Sequence, residues 1–302
     1  MSPRLGGVAL GVLVGAVALT TCSSSTTEGQ PTAVTTARSE SLAPIDTSIA
    51  TPVTIATPVT IAYGDDPSQF GQLWLPAPAP ELALVPLVIV IHGGFWRDAH
   101  GLDLMDPLVA DLVERGYAAW NIEYRRVGQP GGGYPGTLDD VALAVDTVAT
   151  VADQYSLDLA STVVVGHSAG GQLALWTAGR STLLPGAPGS NPVLVPRLAI
   201  GQGPVFDLRA GDAEGLGGGA VTNFLGGAAA EVPDRYDIAT PSSTSGVRLA
   251  VVRGEDDDIV PERFTVPTPV GEVTTVDVPG DHFALIDPAT PAWQAVIDLI
   301  EA

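Results

Sequence analysis

A serine between glycines stands where a predicted strand meets a predicted helix. The pentapeptide Gly166-His167-Ser168-Ala169-Gly170 follows an apolar, β-branched run at 162–165 and precedes a helix-forming run at 172–178. A serine hydroxyl is a weak nucleophile, so it must be held on a tight turn where a base and a backbone amide can reach it. We therefore predict that Ser168 is a nucleophile, and that Gly166 and Gly170 leave room for a close backbone approach.

The general base can be sought among four histidines, which are His92, His100, His167 and His282. In enzymes that use such a turn, an Asp or Glu and then a His follow the serine along the chain. Only His282 lies beyond Ser168, in a turn after the strand-like run 273–278. A neutral imidazole with a pKa near working pH can take the serine proton, so we predict that His282 is the base. A solvated turn histidine is the alternative.

The orienting acid should lie between these two residues, at the end of a strand. The apolar run 249–252 leads to four consecutive carboxylates, Glu255 to Asp258. Composition does not choose among them, and a solvated acidic loop or a weak calcium site is the alternative, although the ligand spacing of an EF-hand is absent. The loop 254–261 resembles the G-x-x-D-x-x-V-P acid turn of α/β-hydrolases, and this resemblance assigns the acid to Asp257. Asp256 and Asp258 would then be exposed neighbours.

A second glycine-containing loop follows another predicted strand. The continuous apolar run 86–91, typical of a strand buried on both faces, ends in His92-Gly93-Gly94-Phe95-Trp96-Arg97. The His-Gly-Gly-aromatic-Trp loop and the Gly-His-Ser-Ala-Gly-Gly turn resemble the esterase and lipase branch of the α/β-hydrolases, with hormone-sensitive-lipase-like esterases and kynurenine formamidase as the nearest types. The resemblance implies oxyanion donors at Gly94, Phe95 and Ala169. Gly93 is the alternative oxyanion donor, because the lipase-type loop has a third glycine where this chain has Phe95.

The resemblance also implies an activity: hydrolysis of small-molecule or polymer-linked carboxylic esters through an acyl-enzyme, with no cofactor. An amidase of the arylformamidase or prolyl-oligopeptidase type would use the same triad and is the first alternative. A catalytically inactive hydrolase fold that serves as an envelope binding protein is the second.

The remaining histidines have structural interpretations. We expect His92 to shape its turn by hydrogen bonding, His100 to be a solvated loop residue and His167 to pack or cap locally. A metal set of His92, His100, Asp103 and Asp106 matches no usual ligand spacing, so no metal site is predicted.

The N-terminal residues predict export. Arg4 precedes a small and apolar run at 5–19, which is shorter than the about 20 residues of a spanning helix and fits a signal peptide over 1–21. Residues 19–22 resemble a bacterial lipobox, although Thr21 departs from its usual small residue, so we expect a lipidated Cys22 in the cell envelope, with simple secretion as the alternative. The Ser/Thr/Pro-rich segment 22–56 is predicted to be a disordered tether, and the catalytic domain spans 57–302.

Composition excludes several function classes. The net charge of −21 argues against nucleic-acid binding, and membrane contact is expected only through the anchor at Cys22. All 13 basic residues are arginines, which rules out a catalytic lysine and a P-loop. Cys22 is the only cysteine, so an intrachain disulfide and a catalytic thiol within the fold are excluded.

The order of elements predicts the fold class. Strands and helices alternate, which indicates a mostly parallel eight-stranded sheet with helices on both faces, and the resemblance makes this an α/β-hydrolase fold. No helical run that could form a lid precedes the first strand, so we expect no large lid domain. Strands are predicted near 57–63, 72–75, 86–91, 117–123, 162–166, 198–202, 248–253 and 273–278, and helices near 103–115, 137–153, 169–178, 261–264 and 290–301. The long segment before the seventh strand, with Phe206, Phe224, Leu225 and Tyr236, is either a wall of the substrate pocket or a structural excursion. Trp96 and Tyr134 could line the pocket or belong to the core.

Overall fold

In the computed structural model, described over residues 57–77, 83–241, 246–265 and 273–302, eight strands form a single sheet. They are β1 (Val59–Ala62), β2 (Phe70–Trp74), β3 (Val85–Ile91), β4 (Ala118–Ile122), β5 (Leu157–His167), β6 (Leu198–Gln202), β7 (Arg248–Gly254) and β8 (Val273–Val278). The strand order is β1-β2-β4-β3-β5-β6-β7-β8. β2 pairs antiparallel with both β1 and β4, and all pairings from β4 to β8 are parallel. The predicted mostly parallel eight-stranded sheet is confirmed.

The helices within the described ranges include all five that the sequence predicts. They are α1 (Asp106–Glu114), α2 (Gly136–Thr150), α3 (Ala152–Tyr155), α4 (Ala169–Gly179), α5 (Leu208–Ala213), α6 (Leu216–Leu225), α7 (Pro233–Ala239), α8 (Glu262–Thr265) and α9 (Pro291–Glu301). The predicted helix 137–153 is divided between α2 and α3, and α5 to α7 were not predicted. None of these helices combines the length and apolar character that a membrane crossing requires.

The export predictions fall on residues that the structure does not describe. The predicted signal peptide 1–21, the predicted lipidation site Cys22 and the tether 22–56 all lie outside the described residues.

Helices cover both faces of the sheet, and the position of β3 between them explains why its sequence is continuously apolar. Successive side chains of a strand point to opposite faces. Val88 and Val90 accordingly belong to the core layer of α1 and α9, whereas Ile89 and Ile91 belong to the layer of α2 and α4. A strand buried on both faces has no polar side to show in its sequence.

The strand order also determines where a ligand can bind. From β3 the chain passes to β4 on one side, and it later returns to β5 on the other side of β3. Loops that leave the carboxyl ends of strands at such a reversal diverge and leave a crevice between them. The loop 92–97 and Ser168 follow β3 and β5, so both lie at this crevice.

The four apolar residues proposed for a pocket wall belong to the core. Phe206, Phe224, Leu225 and Tyr236 are buried, which corresponds to the structural alternative. Trp96 is also buried: it stacks on Phe224 at 4.6 Å between ring centroids. Tyr134 is half-buried and packs against the same cluster.

Candidate active site

Ser168 lies in a sharp turn between β5 and α4. Its φ and ψ angles are 55° and −121°, a conformation that residues with a side chain rarely adopt. Its amide donates to the Gln202 carbonyl at 2.8 Å, and its carbonyl accepts from the Gln172 amide at 3.1 Å. The surrounding backbone therefore holds the serine in a strained position, with its residue surface only 3 % exposed.

The two glycines of the turn allow backbone to pack directly on backbone. A Cβ atom on Gly166 would lie 2.1 Å from the Gly170 carbonyl oxygen. A Cβ atom on Gly170 would lie 2.3 Å from the carbonyl oxygens of Ile91 and His92. No side chain fits at either place, so the predicted reason for both glycines is confirmed.

Asp257 and His282 form a buried pair on the loops that follow β7 and β8. His282 Nδ1 lies 2.6 Å from Asp257 Oδ2, and both side chains are at most 4 % exposed. Asp257 Oδ1 accepts from the amides of Ile259 at 3.0 Å and Val260 at 2.8 Å. Because a carboxylate accepts, the proton of a neutral His282 is held on Nδ1, which leaves Nε2 free to accept another. Asp256 and Asp258 are exposed, as the sequence predicts.

The serine and the histidine line one cavity of about 220 Å³. Gly94 and Phe95 line it as well, so four of the six predicted catalytic and oxyanion residues share this cavity. Asp257 does not line the cavity, but it is hydrogen-bonded to His282, which does. Ala169 is the first residue of α4, where the N–H groups of the first turn have no acceptor within the helix.

The loop after β3 is a tight turn with unusual backbone angles. Gly94, Phe95 and Trp96 have positive φ angles of 112°, 54° and 55°, and the Arg97 amide donates to the Gly94 carbonyl at 3.0 Å. Among the described residues, no acceptor is bonded to the Gly94 or Phe95 amide, so both can donate to a ligand. Gly93 instead packs against the serine turn, since a Cβ atom there would lie 2.8 Å from the His167 carbonyl oxygen.

His92 shapes this turn as predicted. Its Nδ1 lies 2.8 Å from the Gly93 carbonyl oxygen, and its Nε2 lies 3.1 Å from Glu123 Oε1. Burial acts to raise the pKa of Glu123, but the hydrogen bonds from His92 and the Tyr124 amide, with the charge of Arg126, outweigh it and lower that pKa. His100 is exposed, as expected, at the edge of the cavity. The described part of the chain contains no group of three or more metal-ligating side chains.

His167 does more than the predicted local packing. Its Nε2 donates to the carbonyl oxygen of His282 at 3.0 Å, and the two imidazole rings lie 4.4 Å apart. Because a carbonyl only accepts, Nε2 carries the proton of the neutral ring. Burial, together with the nearby His282, lowers the pKa of His167 to about 3. The serine turn is thus tied to the histidine loop by a group that stays neutral, a contact across 115 positions that no local pattern reveals.

The low pKa of His167 predicts a pH dependence of stability. Between about pH 6.5 and pH 3 the unfolded chain binds a proton at His167 that the folded chain does not. This contribution to the free energy of unfolding is fully present above pH 6.5. It is lost as the pH falls toward 3, by at most about 1.4 kcal/mol per pH unit. In His167→Gln the free energy of unfolding, measured by urea titration from pH 4 to 7, should therefore depend less steeply on pH than in the wild type.

The exposed His100 provides the control for this experiment. His100→Gln should keep the wild-type slope, because an exposed histidine has no comparable burial cost. Equal slopes for the wild type and His167→Gln would show that His167 is charged in the folded protein or does not contribute.

Comparison with known proteins identifies the family of this chain. Residues 73–266 match the model of the BD-FAE family. Kynurenine formamidase of Meyerozyma guilliermondii is 34 % identical over 100 residues, which are 33 % of this chain and 36 % of that protein, so the alignment spans about a third of the relative.

Solved structures share the fold at low sequence identity. A truncated carbohydrate esterase from gut microbiota superimposes with a TM-score of 0.67 at 19 % identity, covering 83 % of this chain and 97 % of that one. Esterase B from Lactobacillus rhamnosis, inhibited by a tributyrin phosphonate, superimposes with a TM-score of 0.66 at 22 % identity, covering 81 % of this chain and 84 % of that one. A bacterial heroin esterase superimposes with a TM-score of 0.61 at 20 % identity, covering 82 % of this chain and 83 % of that one. These likenesses show the α/β-hydrolase fold.

Proposed function

This chain belongs to the BD-FAE family of esterase-like α/β-hydrolases, and we propose that it cleaves carboxylic esters through an acyl-enzyme on Ser168. The observation that carries the proposal is the meeting of two groups in one cavity. Ser168, on its strained turn, and His282, bonded at 2.6 Å to Asp257, line that cavity together with Gly94 and Phe95. A nucleophile, a base and amide donors are the groups that acyl transfer requires.

In the first half of the proposed reaction, Ser168 Oγ attacks the ester carbonyl carbon while His282 Nε2 takes the serine proton. Asp257 keeps the other ring proton on Nδ1 and stabilises the imidazolium that forms. The negative oxygen of the tetrahedral intermediate accepts hydrogen bonds from the amides of Gly94, Phe95 and Ala169. When the intermediate collapses, the alcohol leaves with the proton from His282.

Water completes the proposed cycle. His282 takes a proton from a water molecule, which attacks the acyl-enzyme carbonyl, and the same amides stabilise the second oxyanion. Collapse releases the carboxylic acid and returns the proton from His282 to Ser168. Each amide donor in such a site contributes about 3 to 4 kcal/mol to the transition state.

Amide hydrolysis is the second candidate, and the likeness to a kynurenine formamidase favours it specifically. The same residues would act in the same order, with an amine as the leaving group. The two activities are separated by comparing kcat/KM for p-nitrophenyl acetate with that for N-formylkynurenine and for aminoacyl anilides. Our proposal expects the ester to be the best of these substrates.

The identity of the acid gives a paired test of the proposed triad. Asp257→Asn should lower kcat for p-nitrophenyl acetate by up to about 10⁴-fold, because an amide no longer favours the Nδ1 tautomer or stabilises the imidazolium. Asp258→Asn removes the same charge from an exposed neighbour, so it should leave kcat nearly unchanged. The reverse pattern would assign the acid to Asp258 and contradict the proposed triad.

Export as a lipoprotein is a separate proposal, which rests on residues 1–22 of the sequence. Two or more acyl chains on Cys22 would give lasting membrane attachment. In a bacterial host, an alkynyl fatty-acid label should appear on the wild type and on the control Ser24→Ala but not on Cys22→Ser. Absence of the label from the wild type would favour simple secretion.

A further inference from the structure

Arg97 lines the same cavity as Ser168 and His282 and forms no ion pair with a carboxylate of the described residues. Of the eleven arginines in the described residues, Arg97, Arg197, Arg235 and Arg248 form no such ion pair, and seven do: Arg115, Arg125, Arg126, Arg180, Arg209, Arg253 and Arg263. Of these four, only Arg97 lines the cavity, and it has no ion pair although acidic residues outnumber arginines 34 to 13 in this chain. The Arg97 guanidinium, which lines the cavity with Ser168, therefore carries a positive charge that no ion pair compensates, in a protein with an excess of carboxylates.

The Arg97 side chain is held at the cavity wall by neutral contacts. Its Nη2 donates to the Gly217 carbonyl at 2.6 Å and lies 3.4 Å from the Gly218 carbonyl oxygen. Its guanidinium carbon lies 5.9 Å from the centre of the Phe95 ring. A guanidinium has five N–H donors, so these carbonyl contacts fix its position without neutralising its charge and leave donors on Nη1 and Nε.

The rest of the cavity does not supply a negative charge. No carboxylate is among the described residues that line it, and its other walls include the apolar side chains of Phe95, Leu104, Ile259 and Phe283. His167 is neutral at physiological pH. The attraction between a cation and an anion is stronger among such apolar walls than in water, and the planar guanidinium fits a carboxylate with two parallel hydrogen bonds.

We propose that Arg97 binds a carboxylate of the substrate, so that the preferred substrates are monoanions with a free carboxylate next to the scissile ester. Monoesters of dicarboxylic acids and esters of hydroxybenzoates belong to this class. The inference rests on the proposed function, because it places the carboxylate relative to an ester attacked by Ser168. The net charge of −21 repels anionic substrates. The positive charge of Arg97 would offset this repulsion at the site of reaction.

The test uses two pairs of esters that differ in a carboxylate. Mono(4-nitrophenyl) adipate is compared with 4-nitrophenyl hexanoate, which places the charge in the acyl half, and 4-acetoxybenzoate with phenyl acetate, which places it in the alcohol half. For each pair the measured quantity is the ratio of kcat/KM for the anionic ester to that for the neutral ester. We expect Arg97→Gln to lower this ratio by about 10- to 100-fold in at least one pair, since a hydrogen-bonded ion pair is lost.

Two further variants separate charge from structure. Arg97→Lys keeps the positive charge but not the two parallel hydrogen bonds, so its ratio should lie between those of the wild type and Arg97→Gln. Arg248→Gln, at the exposed amino end of β7, makes the same change in net charge at the end of the parallel strands opposite to the cavity, so it should leave the ratio as in the wild type. The effect of Arg97 should also weaken in 0.5 M salt, because ions screen the attraction (about 3 Å Debye length at 1 M).

The failures of the two proposals differ. If the wild type hydrolyses the neutral esters but the ratios are the same in Arg97→Gln, the assignment of Arg97 is overturned while the esterase proposal stands. If the wild type hydrolyses none of the four esters, the esterase proposal itself fails.

Discussion

The direct contact between the start of α4 and the ends of β3 and β5 determines where the groups of the site lie. The Gly170 backbone sits against the carbonyl oxygens of Ile91 and His92, at a distance that leaves no room for a Cβ atom. This contact brings the serine turn after β5 and the amide loop after β3 into one cavity. In the same turn Ser168 has backbone angles that a residue with a side chain rarely adopts, and its backbone hydrogen bonds to Gln202 and Gln172 hold it in this strained conformation.

The same turn is connected to the other side of the site by hydrogen bonds between parallel strand ends. Ser168 donates its amide to Gln202 at the end of β6, and the Gln202 side chain donates to the Leu285 carbonyl. His167 donates to the carbonyl of His282. Since β7 and β8 are neighbours in the sheet, the loops that carry Asp257 and His282 are adjacent, and their hydrogen bond follows from strand order rather than from proximity in sequence.

The sequence predicts the central strands β3 to β7 well, because they are mostly buried on both faces and appear as largely apolar runs. It identifies Ser168 and His282 as candidates through their order along the chain. The choice of Asp257 among the four carboxylates at 255–258 rests on a family resemblance, since every one of these residues carries an acidic group. The sequence does not predict helices α5 to α7 because α5 and α7 are only six and seven residues long and Gly217 to Gly219 interrupt the helical pattern of α6. Trp96 could not be assigned to the core, because its stacking partner Phe224 lies in that unpredicted segment.

An activated serine at position 168 is the central requirement of the proposed reaction, and covalent labelling tests it most directly. The purified protein is incubated with a fluorophosphonate, and its peptides are analysed by mass spectrometry beside those of Ser168→Ala. We predict a single adduct, on Ser168, which is absent from the variant. A folded wild-type protein without an adduct, or an adduct on another residue that persists in Ser168→Ala, would contradict the account and favour a binding protein built on a hydrolase fold.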